Sequence, residues 1–181
     1  MIDPKFGKII EEEIIFLVDE YRKSGKNSKP VILHSLNLTF YLLGLGYDHK
    51  IIQAAVLHDL LEDSDVKIEQ IEERFGKDVA KIVNSLTFNP NIEDKEEQYK
   101  ELFARTKKGG KKALIVKCGD IYINSFYINL INDKSKEKFL VGKMKYFLDI
   151  SKDVISEEKV WLDLQKRMTE EEARIKEKFL S

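Results

Sequence analysis

The stretch Ala54-Ala55-Val56-Leu57-His58-Asp59-Leu60-Leu61-Glu62-Asp63 sets four ionisable side chains into an apolar run. Its first part is apolar on every side, which predicts a helix buried all round. Residues three and four apart share a helix face, so Glu62 falls beside His58 and Asp59, and Asp63 beside Asp59. Burying such groups is costly unless something pairs them. No Lys or Arg lies between Lys50 and Lys67. The local sequence thus supplies no countercharge, and a divalent cation is the pairing group these residue types suggest.

Two more polar side chains sit in apolar surroundings. His34 lies one turn into a helix that opens at Pro30. Taken alone, a His at such a place is more often a satisfied core residue than a ligand. Asp120 is the only acidic residue from Ala113 to Ile131, a second unusually apolar segment, and it requires a partner. His34, His58, Asp59 and Asp120 together form a mixed nitrogen and oxygen set drawn from three helices. That set suits Mn²⁺, Fe²⁺, Co²⁺ or Zn²⁺ better than Ca²⁺ or a thiolate-rich structural zinc site.

The elements that must position these groups read as helices throughout. Asp3-Pro4 resembles an N-cap followed by Pro at the first helical position, with an apolar stripe continuing to about Tyr21. Arg22 to Lys29 reads as a basic loop, solvated by default but adjacent to the His34 helix. The second helix is predicted from Pro30 to about Leu45, with Leu33, Leu36, Phe40 and Leu43 inside, and the third from about His49 to Glu62. Asp65 is the expected cap of a short helix closed by Gly76, and Val79 to Leu86 gives another. Glu93 to about Thr106 carries a thin apolar face on a charged helix, and Lys107 to Lys112 reads as an exposed basic turn that could help hold an anion. Ala113 to about Ile131 is predicted as one helix, although its first four residues could also begin a buried strand. Lys134 to about Ile155 and Ser156 to Phe179 complete the chain, with Ser156 as an expected N-cap. The last helices carry no motif and read as packing or subunit-contact elements, compatible with a homo-oligomer.

Bulk properties bound the function. The chain has 181 residues, enough for one domain with a real core, and 35% charged against 43% hydrophobic residues excludes a disordered class. A net charge of −1 offers no overall footprint for a nucleic-acid polymer or a membrane surface. No stretch approaches the roughly 18 uncharged apolar residues of a membrane span. One cysteine, Cys118, leaves no intrachain disulfide and suits a reducing cytosol, so a cytoplasmic location is expected. Cys118 itself reads as a small core residue. The expectation is a single all-α domain over residues 1–181, its motif-bearing core at about 10–130 and its C-terminal helices, about 135–180, packed onto it.

The order His, His-Asp, Asp in successive helices resembles the ligand pattern of the HD-domain metal-dependent phosphohydrolases. More narrowly, the chain is similar to the hydrolase domain of RelA/SpoT-type ppGpp hydrolases, including the small stand-alone ones. The residues that carry the resemblance are the Arg22-Lys23-Ser24-Gly25 loop, Pro30 to His34, Ala54 to Asp63, Ile71 to Gly76 with Val79 and Val83 to Thr87, and Lys117-Cys118-Gly119-Asp120-Ile121-Tyr122-Ile123-Asn124. The resemblance implies an HD-domain helical bundle in which His34, His58, Asp59 and Asp120 hold one divalent metal, usually Mn²⁺. It implies that Glu62 and Asp63 position or deprotonate the attacking water, and that Asn124, Arg22 and Lys23 contact the substrate. Two positions depart from the family pattern: Ile121 stands where Arg or Lys is usual, and Ile123 where His or Tyr is frequent. Both remove polar groups near the implied nucleotide pocket.

The expected activity is release of the 3′-pyrophosphate of guanosine tetra- or pentaphosphate, a small-molecule nucleotide substrate. Alternatives are hydrolysis of another nucleotide, such as a 5′-monophosphate or an NADPH-type 2′-phosphate, and a non-catalytic nucleotide-sensing module. A pure sensor would be free to lose Glu62 and Asp63, and both are present.

Overall fold

Residues 51–57 and 113–118 are the two most deeply buried runs of the chain, and the other helices are arranged around them. The structure, a computed structural model, describes residues 3–25 and 30–180. Among these it contains ten α-helices, one short 3-10 turn and no strand: α1 (Pro4–Ser24), α2 (Val31–Gly44), α3 (His49–Leu57), α4 (Leu60–Asp63), α5 (Ile68–Phe75), α6 (Lys77–Leu86), α7 (Lys95–Gly109), α8 (Lys111–Ser125), the turn Ile128–Leu130, α9 (Lys134–Ile155) and α10 (Lys159–Leu180). Helix α3 packs against α1, α2, α6 and α8, and α8 in turn against α2, α7, α9 and α10. The all-α architecture follows from the 3.6-residue apolar period, and the continuous pattern through α8 decides for helix over strand. Among the described residues no helix is long and apolar enough to cross a membrane.

The sequence-based boundaries hold for the start of α1, with the Asp3 side chain accepting from the Lys5 backbone N–H, and for α9, capped by Asp133, whereas α1 continues past Tyr21 to Ser24 and takes Arg22 and Lys23 out of the expected loop. Elsewhere they shift. Helix α3 stops at Leu57 instead of running to Glu62, and α8 stops at Ser125 instead of Ile131. Residue 67, not Asp65, is the N-cap of α5, and its backbone N–H is satisfied by Gln70 Oε1 at 2.8 Å. Ser156 ends α9 and does not cap α10; Glu158 O accepts the first bonds of that helix from Trp161 and Leu162. The inner face of α2 is Val31, Ser35, Leu38 and Leu42, while Leu33 and Phe40 are exposed. Apolar residues lie on every side of α2 and its polar Ser35 and Thr39 face inward, so periodicity alone could not orient it. Phe139 likewise lies at the surface, against Tyr99. The Phe179 side chain and residues 26–29 of the basic loop lie outside the described residues.

Helix α8 crosses α2 at Gly119. An added Cβ there would stand 2.7 Å from Leu38 Cδ1 and 3.1 Å from Leu42 Cδ2, both side chains fully buried. The missing side chain therefore lets the two helices approach closely enough for His34 and Asp120 to meet. Gly119→Val should cost about 3 kcal/mol through overpacking, a loss read by urea denaturation. An unchanged midpoint would show that α2 and α8 can separate without penalty.

Helix α1 carries one anomaly. Glu13 is fully buried, its Oε1 accepting from Gln53 Nε2 at 2.5 Å and its Oε2 without a partner. Burial raises its pKa to about 7, with the Gln53 bond opposing. The native state therefore holds a proton that the unfolded chain releases near pH 4.5. Stability is fully expressed below the unfolded pKa and falls as pH rises toward 7, by about 3 kcal/mol if the whole shift is realised. Glu13→Gln should match the wild type at pH 4.5 and exceed it at pH 8 in chemical denaturation. Equal stabilities at pH 8 would mean that the carboxyl ionises without cost.

Candidate metal centre

His58 and Asp59 sit in a break between two helices, not within one. Asp59 adopts φ −97° and ψ −1°, the sparsely populated bridge conformation, and α4 restarts at Leu60. Adjacent residues of a helix diverge by about 100°, yet His58 Nε2 and Asp59 Oδ2 stand 3.1 Å apart. His58 turns into the core, 1% exposed, and the Asp59 carboxylate comes back to meet it.

Four ligand-type atoms converge there. His34 Nε2 lies 3.2 Å from His58 Nε2 and 3.1 Å from Asp120 Oδ1. Asp59 Oδ2 is 3.1 Å from His58 Nε2 and 3.8 Å from His34 Nε2, and His58 Nε2 is 3.8 Å from Asp120 Oδ1. Atoms bound about 2.0–2.2 Å from one ion stand roughly 3–3.5 Å apart at adjacent positions, a range that three of these five separations meet. The proton position on His58 suits a cation too. His58 Nδ1 is 3.0 Å from the Ala55 carbonyl, which can only accept. Nδ1 therefore carries a hydrogen, so Nε2 is the atom that faces the three neighbours and that a cation would take in place of a proton. His34, His58 and Asp120 form a compact group with donor atoms within 4.8 Å of one another. Burial opposes a charged His58, yet Asp59 and Asp120 outweigh it and raise its pKa to about 9. The carboxylates draw positive charge to this point.

The countercharge missing from the local sequence comes from α8. Lys117, 6% exposed, places Nζ 2.9 Å from Asp120 Oδ2. Burial would raise the Asp120 pKa, but Lys117, His34 and His58 hold it well below the carboxylate range. Asp120 thus divides its oxygens, Oδ2 to the ammonium and Oδ1 to the imidazole side. Asn124, one turn on, donates to Oδ1 at 2.6 Å and lines the same cavity. Its first visible role is to orient Asp120.

The group opens into a cavity of about 490 Å³. Asp59, Glu62 and Asp63 line one side, and Phe88, Tyr99, Tyr127, Leu140 and Lys143 contribute elsewhere. Glu62 Oε1 accepts from the Phe88 backbone N–H at 2.6 Å, which fixes the carboxyl while Oε2 stays open. Burial within the cavity, opposed by Lys117 and assisted by Asp59, raises the Glu62 pKa to about 7. Four carboxylates and two ammonium groups face this space, so a divalent cation brings it to rough neutrality and makes it able to accept an anion.

The structure brings His34, His58, Asp59, Glu62, Asp63, Asp120 and Asn124 together and leaves out the remaining two sequence candidates. Arg22 and Lys23 lie on the exposed last turn of α1, neither lines the cavity, and Lys23 pairs with Glu20 at 2.6 Å. The basic turn at 107–112 is spent on surface ion pairs, Lys107 with Asp153, Lys111 with Glu158 and Lys112 with Asp48. Ile121 lines the cavity as an apolar wall. Lys117, Phe88, Tyr99 and Lys143 were not assigned roles from sequence. The signal for Lys117 was its i−3 spacing to a buried Asp. Nothing in the local sequence distinguishes Lys143 from other helix lysines.

The family described as HD domain matches residues 15–116. A protein of Aquifex aeolicus (strain VF5), named guanosine-3′,5′-bis(diphosphate) 3′-pyrophosphohydrolase, is 31% identical over 152 residues, covering 82% of this chain and 22% of that one. The chain thus spans about a fifth of that relative's length. The Xenopus tropicalis protein named guanosine-3′,5′-bis(diphosphate) 3′-pyrophosphohydrolase MESH1 is 32% identical over 107 residues, covering 58% and 59% of the two chains. A solved structure, described as a metazoan ortholog of SpoT that hydrolyzes ppGpp, superposes with a TM-score of 0.76 at 21% identity, covering 94% of this chain and 97% of that one. At that identity the likeness shows a shared fold.

Proposed function

The chain belongs to the HD-domain family, and from that premise we propose that it is a metal-dependent phosphohydrolase that releases the 3′-pyrophosphate of guanosine tetra- or pentaphosphate. The observation that carries the reading is the compact group of His34, His58 and Asp120 with Asp59 beside it, His58 turning Nε2 toward the other three. These four side chains would hold one divalent ion, Mn²⁺ being our choice for a mixed imidazole and carboxylate set. Such an ion, when bound, lowers the pKa of water and polarises a phosphoryl oxygen. The rest falls to the protein. Glu62, held by the Phe88 N–H and open at Oε2, accepts the water proton as general base. Asp63 stands beside it on the cavity wall and orients the same water. Lys117 and Asn124 keep Asp120 in place. Phe88 and Tyr99, in edge contact at 5.1 Å, form an aromatic stretch of the cavity wall.

The names of the relatives support the choice of nucleotide. The test is release of pyrophosphate or phosphate from a nucleotide panel, guanosine 3′,5′-bis(diphosphate) included, with Mn²⁺ present and with the protein stripped of metal. Metal-dependent pyrophosphate release from that nucleotide alone is the expected result. Phosphate released instead from 5′-monophosphates or a 2′-phosphate would overturn the substrate assignment and keep the hydrolase.

A further inference from the structure

Helix α9 shows no motif in sequence, yet it sets one cation into the cavity. Lys143 lines the space beside Leu140 and Met144, with its ammonium 4.5 Å above the centre of the Tyr99 ring. Lys117 and Lys143 are the two lysines among the described lining residues. The Lys117 ammonium is already committed to Asp120 Oδ2. Lys143 has no carboxylate within ion-pair distance among the described residues, and the face of Tyr99 is the partner it does have. An aromatic face steadies an ammonium but leaves its three hydrogens available. Burial lowers the Lys143 pKa to about 8, with Asp120 opposing and Lys117 adding to the shift, so the amine shares the electrostatic surroundings of the metal cluster. Ile121 supplies no charge to this wall.

We infer that Lys143 is a specificity-determining residue that binds the terminal phosphoryl group of a pyrophosphoryl substituent, so that the site selects a pyrophosphate over a single phosphate. The inference rests on the phosphohydrolase reading for its substrate class. The geometry supplies the reason for two subsites. A phosphoryl group engaged at the four-residue cluster leaves one phosphorus further out in a pyrophosphate, and Lys143, on the wall of the same cavity, is the lysine not committed to Asp120 that could meet that outer group. A single phosphate makes the inner contacts alone.

The experiment is equilibrium binding of inorganic pyrophosphate and inorganic phosphate to the Mn²⁺-loaded full chain, by calorimetry at fixed free Mn²⁺. The wild type should bind pyrophosphate at least about tenfold tighter than phosphate, the increment of one charge-assisted hydrogen bond. Lys143→Met should lose most of that preference while still holding one metal per chain by elemental analysis and melting at the wild-type temperature. Lys143→Arg should restore it. A wild type without the preference, or a Lys143→Met variant that keeps it, overturns the inference. The two readings fail separately. Loss of preference in Lys143→Met without turnover of any guanosine nucleotide would sink the proposed activity and leave the pyrophosphate subsite standing. Turnover of guanosine 3′,5′-bis(diphosphate) with an unchanged preference in Lys143→Met would do the reverse.

Discussion

Asp120→Ala is expected to abolish metal binding and to destabilise the fold by about 3–5 kcal/mol, a double loss that neither a ligand nor a core residue alone would show. Asp120 joins two sets of partners at one buried point, the His34 and His58 side through Oδ1 and the Lys117 ammonium through Oδ2. Removing it strands the Lys117 charge in the interior, and the pKa of that lysine, raised by Asp120 in spite of burial, must drop. Lys117→Met in the same background should return most of the lost stability, since a neutral side chain of similar volume has no charge to desolvate, but it should return no metal. Urea denaturation and elemental analysis of the single and double variants measure both effects. If the double variant is no more stable than Asp120→Ala, the buried pair is not the source of the cost.

Glu62→Gln should separate chemistry from architecture. The Gln side-chain oxygen can still accept the Phe88 N–H, and none of the four proposed ligands is touched. Metal content and thermal stability should therefore stay at wild-type values while kcat falls about 10²- to 10⁴-fold, the range of a lost general base. The sign of the pH effect follows. The base works deprotonated, so activity should rise with pH on the acidic limb. That limb should lie at or below about pH 7, the value set by burial and the neighbouring carboxylates, because a bound cation can only lower it. A variant that turns over at the normal rate would make Glu62 an orienting group instead.

The centre of the site was legible because its residues break local rules. His58 and Asp59 interrupt a run that should contain only apolar side chains, and Asp120 does the same in α8. Each demands a partner, and the demand is visible without coordinates. The partners themselves were harder to see. No Lys or Arg lies near residues 58–63 in sequence, the flanking ones being Lys50 and Lys67. Lys117, which supplies the countercharge, lies 54 residues after Asp63 in sequence and reaches the site because α8 packs against α3. Arg22 and Lys23 show the opposite case, residues of suitable chemistry that the end of α1 leaves on the surface and outside the cavity wall.

Sequence by itself determined the helical class, the two buried helices and the kinds of ligand atoms at the centre, since amphipathic period and misplaced charge are local properties written at 3.6-residue spacing. Tertiary structure decided the rest. It set the meeting of His58 and Asp59 with groups from two other helices, the close crossing at Gly119 that joins His34 to Asp120, and the ammonium of Lys143 over Tyr99. Each of these depends on where one packed helix meets another, and periodicity along a single chain segment carries no information about that distance.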